Sequence, residues 1–452
     1  MHVSTSNLRK KLTFIPFVMT NGMNLFPIFI LSQLFIQDKR VAPFILPLVL
    51  FYCFKTTILF IVRIRKINSY QILLFSIWVG IAGSVTGFLS ENNFILQLMT
   101  GILLGISSGL MTPAFTTVSL HQKFQTDHPV PSPNMIITII YASVLLYTFF
   151  KIASISLTGT FVLLGINLAL LYFVIQIYDT YVLQDETPYP SYSVYESILL
   201  FSLGFFTIFI IKSAKKLGFG EFLLPMLLLF SIISFFYLLY LTRVKPDRKF
   251  DRCSTILIIY KGMLTNFIFV FCTFFMLLYK GKNAFYLVYI IYLIAVLIGP
   301  MIIKILKQKI PLENDVLLLI GLSIGYVCLV FNLTFYLGVF ITSLFAIFMN
   351  QDLTKFAYQL KGLPVDSRIM AKFRLNNIGS IIHQVLMMAV LFLVTYLSKT
   401  VTVSQIFTDY SMQRIDLNTI LPFKITKCLM LLFFIGFFPV IKHFYTKQKN
   451  KF

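Results

Sequence analysis

The chain has 452 residues, of which 58% are hydrophobic and only 12% charged, whereas soluble proteins are about 45–50% apolar and about 25% charged. That composition excludes an ordinary water-soluble enzyme and makes the membrane span the unit to count. The 38 Lys and Arg against 16 Asp and Glu give a net charge of +22, which in a membrane protein orients the chain and implies no nucleic-acid partner.

Apolar runs of about 20 residues are long enough to cross roughly 30 Å of hydrocarbon. The first, at 12–35, follows Arg9, Lys10 and Lys11. It is too long for a signal-peptide core and no Ala-x-Ala site follows, so it is read as a retained span. It carries Thr20, Asn21 and Asn24. The second, 42–62, holds Lys55, with roughly 12 Å of helix to the nearer surface. An ammonium at that depth faces protein or a watery cavity rather than lipid, so Lys55 is the leading candidate for attracting an anionic group.

After the basic turn Arg63, Arg65 and Lys66, the third span, 70–90, carries Gly83 and Gly87. The fourth, 94–118, has Gly101, Gly105 and Gly109 at intervals of four, a face that lets a neighbouring backbone approach closely. Ser108 and Thr112 lie on the same helix. His121 and Asp127 share the loop that follows, the pair a membrane acyltransferase would require. Spans at 135–157 and 160–177 come next. The loop from Asp179 to Glu196 has four acids and no Lys or Arg. Spans seven and eight are expected at 194–211 and 222–241.

The ninth span, 254–279, carries Lys261 and Thr265 one turn apart, with Asn266 beside them. The tenth, 285–305, leads into the basic turn Lys304, Lys307 and Lys309, and then a helix with Gly321 and Gly325. The run from Val316 to Met349 is interrupted only by Asn332. As one helix it would be about 51 Å long, so charge must decide whether it is one span or two. Two spans, 316–331 and 333–349, place 24 Lys and Arg on the side of the N-terminus and 10 opposite; one span gives 18 and 16. The asymmetry of cytoplasmic loops favours two. The thirteenth span, 378–397, has Ser380, His383 and Gln384 near its start, and the fourteenth, 422–444, contains Lys427, placed to snorkel to an interface. Lys151 in the fifth span is placed likewise.

The expected fold is therefore all-α and polytopic, about 14 transmembrane helices with both termini cytoplasmic. The turn and Gly-xxx-Gly helix after span two recur after span ten, eight spans later. This suggests six helices (1–180), a two-helix insert with loops (181–250) and six more (251–452). All sixteen acids are expected in loops or at span ends, which leaves no carboxylate for a proton relay at depth. Cys53, Cys253, Cys272, Cys328 and Cys428 are read as buried apolar residues, and no metal site or cofactor is expected.

The stretch from Thr100 to Pro113, with its three glycines, resembles the fourth helix of the major facilitator superfamily. Arg368 to Gly379, with Arg374, Asn376 and Asn377, resembles the start of the penultimate helix of its fourteen-helix branch, the drug:proton antiporters. The superfamily signature between helices two and three keeps only its basic residues at 60–66, without its Gly and Asp. The antiporter signature of helix five has no counterpart at 135–157, which holds neither Gly nor Pro. In this superfamily the first and fourth helices of each half line the central cavity. The resemblance thus implies Asn21, Asn24, Ser108, Thr112, Lys261 and Thr265 as substrate-binding residues, to which the depth of Lys55 in the second span adds that lysine.

The function expected from these features is a permease of the cell membrane, moving a small or amphipathic, in particular anionic, solute by alternating access, with efflux as one direction. Its partners would be that solute or lipid and the membrane lipids. A lipid or glycolipid flippase of the same fold is an alternative. So is a membrane partner or sensor that transports nothing, and last an acyl or glycosyl transferase built on His121 or Asp38. No Walker loop accompanies the basic loops, so the chain's own ATP hydrolysis is not expected to drive it.

Overall fold

A computed structural model describes residues 9–37, 46–62, 68–91, 93–125, 130–178, 194–217, 229, 233, 250–310, 312–360, 363–399, 401–402, 405 and 417–449. Among them there is no strand, as expected where backbone polar groups must be satisfied within each segment in lipid. Helices α1 (Phe14–Gly22), α2 (Phe26–Gln37), α3 (Leu46–Ile61), α4 (Ser69–Phe88), α5 (Phe94–Gln125), α6 (Met135–Ile155), α7 (Leu157–Ile175) and α8 (Val194–Leu217) come first. Then follow α9 (Arg252–Asn266), a π-helical segment (Phe267–Cys272), α10 (Thr273–Lys280), α11 (Lys282–Lys309), α12 (Asn314–Val330), α13 (Phe335–Gln359), α14 (Val365–Ser398), α15 (Leu417–Ile435) and α16 (Phe438–Lys449).

Nine described helices are long and apolar enough to cross a membrane, ten if α1 and α2 form one bent span. Three shorter apolar helices, Leu46–Ile61, Val194–Ile210 and Asn314–Val330, lie where the second, seventh and eleventh spans are expected. The expected eighth span, 222–241, lies outside the described residues apart from 229 and 233.

Helix ends differ from the apolar runs in a consistent way. The helix of the twelfth span continues to Gln359 and that of the thirteenth begins at Val365, because Lys, Arg, Gln and Met sustain a helix as well as Leu does. Charges therefore limit the apolar run but not the helix. Asp352 thus falls inside α13 rather than in a loop. Its Oδ2 accepts the Tyr445 hydroxyl at 2.9 Å.

Residues 331–334 separate α12 from α13, and the two pack as an antiparallel hairpin. A Cβ on Gly338 would lie 2.6 Å from Leu329 N, and one on Gly325 would lie 3.0 Å from Thr342 N, while Gly321 faces the Phe345 ring. Small residues thus let two backbones meet where a single long helix had to be weighed against two. Lys427 does not snorkel. It is 1% exposed, donates to Val330 O at 3.0 Å and lies 4.6 Å and 5.4 Å from the Phe275 and Phe335 ring centres. Val330 ends α12, so the ammonium sits at the negative end of a helix.

The chain divides into two compact units, Met1–Phe209 with Lys361–Phe373, and Ile210–Leu360 with Arg374–Phe452. In the first, α5 packs on α3 and α4, α7 on α4 and on α1 and α2, and α1 on α5 and α6. In the second, α13 packs on α11 and α12, α16 on α12 and α9, and α9 on α13. Gly262 of α9 faces Asn376 O of α14, while Gly379 of α14 faces Ile259 O of α9, which gives the counterpart of the α1–α6 contact. Most of the pairings in the first unit thus have an equivalent in the second.

Close backbone packing fixes the first unit. Gly101, Gly105 and Gly109 set α5 against Pro47 O, Phe51 O and Lys55 O of α3, where added Cβ atoms at Gly105 and Gly109 would come within 2.8 Å and 2.7 Å of those oxygens. Gly83 and Gly87 do the same for α4 against Leu103 and Leu104 and against Phe161. Helix α8 covers α3 through Phe201 and Phe205, whose rings lie 5.9 Å and 5.5 Å from Phe54.

Candidate functional site

The first span is broken. Helix α1 stops at Gly22, α2 starts at Phe26, and the two are bent by 44°. Pro27 supplies the cause: it has no N–H to offer Met23 O, and its ring crowds that turn. The Asn24 amide accordingly turns to Asn21 O at 3.2 Å and the Leu25 amide to Gly22 O at 2.8 Å. Backbone oxygens released this way inside a span must find other donors.

Side chains from two other helices supply them. Thr112 Oγ1 of α5 donates to Thr20 O at 2.8 Å and accepts from Asn24 Nδ2 at 2.9 Å. Lys55 Nζ of α3 donates to Asn24 O at 3.0 Å and lies 5.6 Å from the Phe51 ring centre. The glycine packing of α5 on α3 holds both donors at this level. Among the described residues no carboxylate pairs with Lys55. Three of the residues singled out in the sequence, Asn24, Lys55 and Thr112, thus converge on one point. Two others do not. Asn21 Nδ2 folds back onto Phe17 O at 2.8 Å, and Ser108 is 1% exposed with no partner for its hydroxyl among the described residues.

In the second unit the first span is widened rather than broken. The π-helical segment begins directly after Asn266. Insertions of this type are frequent at functional sites. Asn266 Nδ2 meets His383 Nδ1 of α14 at 2.8 Å. The amide NH₂ is the donor, so Nδ1 accepts and the ring proton sits on Nε2, which is buried without a partner among the described residues. The imidazole stands edge-on to Phe267 and parallel to Phe434. Phe267, Phe271 and Phe275 form a parallel ladder at 5.1 Å and 6.3 Å.

Lys261 and Thr265 lie on α9 one turn before this point, both half-buried. The Thr265 hydroxyl is spent on Lys261 O at 2.9 Å. Lys55 takes a carbonyl of the break and Lys427 one at a helix end, and Lys151 is exposed near Tyr147. Lys261 differs: among the described residues no carbonyl or carboxylate takes its ammonium. No group of His, Cys, Asp and Glu able to hold a metal ion occurs among the described residues. Of the acyltransferase pair, His121 is buried and Asp127 lies outside the described residues.

Sequence reasoning missed the break and the Asn266–His383 pair as sites. Pro27, three residues after Asn24, was the available signal for the first. The second had none, since no Gly or Pro marks the π-helical segment.

No model of a known protein family matches the chain, and no curated protein matches its sequence. Solved structures do. A POT family transporter in complex with a thioalcohol-conjugated peptide is 15% identical, with 96% of each chain covered and a TM-score of 0.54. A POT family transporter in complex with 5-aminolevulinic acid is 14% identical, again with 96% of each covered and a TM-score of 0.53. The tetrameric PepTSo2 is 11% identical, with 97% of this chain and 99% of that one covered and a TM-score of 0.51. The chain has the fold of these transporters.

Proposed function

We propose that the chain is a secondary transporter that moves a small anionic or amphipathic solute across a membrane by alternating access of its two units. The observation that carries this reading is the irregular first span in each unit, broken at 23–25 and widened at 267–272, within a transporter fold matched over 96% of the chain. Irregular helices at membrane depth expose backbone and side-chain polar groups where a carrier holds its solute.

Lys261 supplies the attraction for the negative group, since among the described residues no carbonyl or carboxylate takes its ammonium, on the helix that runs into the π-helical segment. Thr265 stands one turn from Lys261 on the same helix, while in the first unit Lys55 and Thr112 hold the break open. The neighbours' peptide and 5-aminolevulinic acid each carry a carboxylate, which makes small carboxylates the first solutes to try. Both termini cytoplasmic, fourteen spans and the bundles at 1–180 and 251–452 belong to the same reading, supported by the charge asymmetry and the repeated helix pairing. Assignment to the drug:proton antiporter branch has the α5 and α14 motifs as its support.

Reconstitution tests it. Proteoliposomes preloaded with dipeptide, 5-aminolevulinic acid or aliphatic and aromatic carboxylates should show counterflow of at least one of them above protein-free vesicles. Counterflow of none, together with co-purification of a stoichiometric membrane protein, contradicts the reading in favour of a non-transporting partner.

A further inference from the structure

The broken first span has a second consequence, which touches the carrier reading only in what it implies for ion coupling. A helix that ends inside the membrane presents its last carbonyls with about half a negative charge. Such ends are where a membrane carrier holds a free cation. At 23–25 the place is taken. Lys55 Nζ reaches Asn24 O at 3.0 Å, and its other two N–H groups point to no carboxylate among the described residues. The Lys55 backbone is pinned by Gly109, whose added Cβ would lie 2.7 Å from Lys55 O, so the reach of the side chain is set by packing. Thr112 closes the neighbouring Thr20 O, leaving Asn24 O to the ammonium.

We propose that Lys55 is a tethered cation: its ammonium fills, from within the chain, the position that a free monovalent cation would occupy at the break. The second unit contains related chemistry at a helix end, with Lys427 on Val330 O between two phenylalanine rings. The site left when Lys55 is truncated has the chemistry of an ammonium or alkali-metal site, offering a backbone oxygen of an unwound turn. For a carrier this means that the break keeps its shape without sodium or potassium from solution.

Thermal unfolding of the purified full-length chain in detergent tests this without any transported solute, so its outcome is separate from that of the carrier reading. Wild type and Lys55→Ala are melted at constant ionic strength in choline chloride, with ethylammonium, ammonium or sodium replacing choline stepwise. Wild type should shift by less than a degree. Lys55→Ala should melt lower in choline and recover at least half of its loss, saturably, with ethylammonium, ammonium or sodium. Lys55→Gln keeps an N–H for Asn24 O but no charge; it should also melt low in choline, and it takes the same titration if the alanine variant does not survive purification. Failure of all three cations to raise the melting temperature above the choline control overturns the proposal. So does a Lys55→Gln variant as stable as wild type in choline.

Discussion

The two units share most of their helix pairings and each loses α-helical regularity within its first span, yet they close the irregularity with different chemistry. In the first unit Pro27 breaks the helix, and Lys55 and Thr112 satisfy the freed oxygens. In the second no proline intervenes, the turn widens, and Asn266 bonds His383 against a wall of phenylalanine. Glycines bring backbone to backbone in both units, at Gly105 and Gly109 in the first and at Gly262 and Gly379 in the second, while Phe267, Phe271, Phe275, Phe335 and Phe434 fill the second unit's core. A repeat thus fixes where a helix must be irregular, and the residues at that point decide whether it bends or bulges.

Overpacking gives the largest expected effect and compares the two units directly. Gly105→Leu in the first and Gly379→Leu in the second drive a side chain into Phe51 O and Ile259 O. Each should cost about 3 kcal/mol, at the upper end of overpacking losses, read as lost monodisperse yield and a lower Tm. Gly165→Ala is the contrast: an added Cβ meets only Ser84, at 3.4 Å, and removing a mid-helix glycine should stabilise by about 0.5–1 kcal/mol. An unchanged Tm for Gly105→Leu would show that α5 does not pack on α3 as described.

The helix-end lysine of the second unit comes next. Lys427→Met keeps the volume but leaves Val330 O without its donor, with an expected loss of about 1–3 kcal/mol. Full stability of that variant would make the cap incidental. Asn266→Ala, which removes the partner of His383 Nδ1, should cost less, about 0.6 kcal/mol on the scale of interhelical hydrogen bonds in membranes. A loss several times larger would mean that the pair also holds the π-helical turn.

The smallest effect is at the start of α9. Burial pushes the Asp251 carboxyl up, but hydrogen bonds from Lys447 at 2.7 Å and from Ser254 outweigh it and hold the group below the ordinary carboxylate range. A lowered folded pKa gives stability above the unfolded value of about 3.9 that is lost as pH falls through the folded one. Asp251→Asn should therefore lower Tm slightly at neutral pH, and its melting curve should meet that of wild type below about pH 4. Curves that stay apart in acid would assign the difference to packing.

Much of the architecture was legible because it depends on apolar length and glycine spacing. The glycines at 101, 105 and 109 announced a close helix contact, and Asn332 with the loop charges separated α12 from α13. Helix ends were not legible, since Asp352 and the stretch from Val365 to Asn377 are polar and helical together. Of the site, Asn24, Lys55 and Thr112 could be named one by one, as polar residues in apolar runs. Their meeting at the break could not, because it depends on which face of α5 packs on α3. Lys427 looked like a snorkelling lysine for the same reason: its position in the run says nothing about the Val330 carbonyl across from it.

The central claim is that Lys261, whose ammonium has no carbonyl or carboxylate partner among the described residues, receives a negative group of the transported solute. Thermal shift of the purified chain against a panel of small carboxylates, dipeptides, organic phosphates and matched cationic and neutral solutes tests it most directly, with Lys261→Ala run alongside. The account predicts that at least one anionic solute raises the Tm of wild type and leaves Lys261→Ala unmoved, with the melting temperatures of the two unliganded proteins close together. Stabilisation that persists in Lys261→Ala, or that comes only from cationic or neutral solutes, would contradict it.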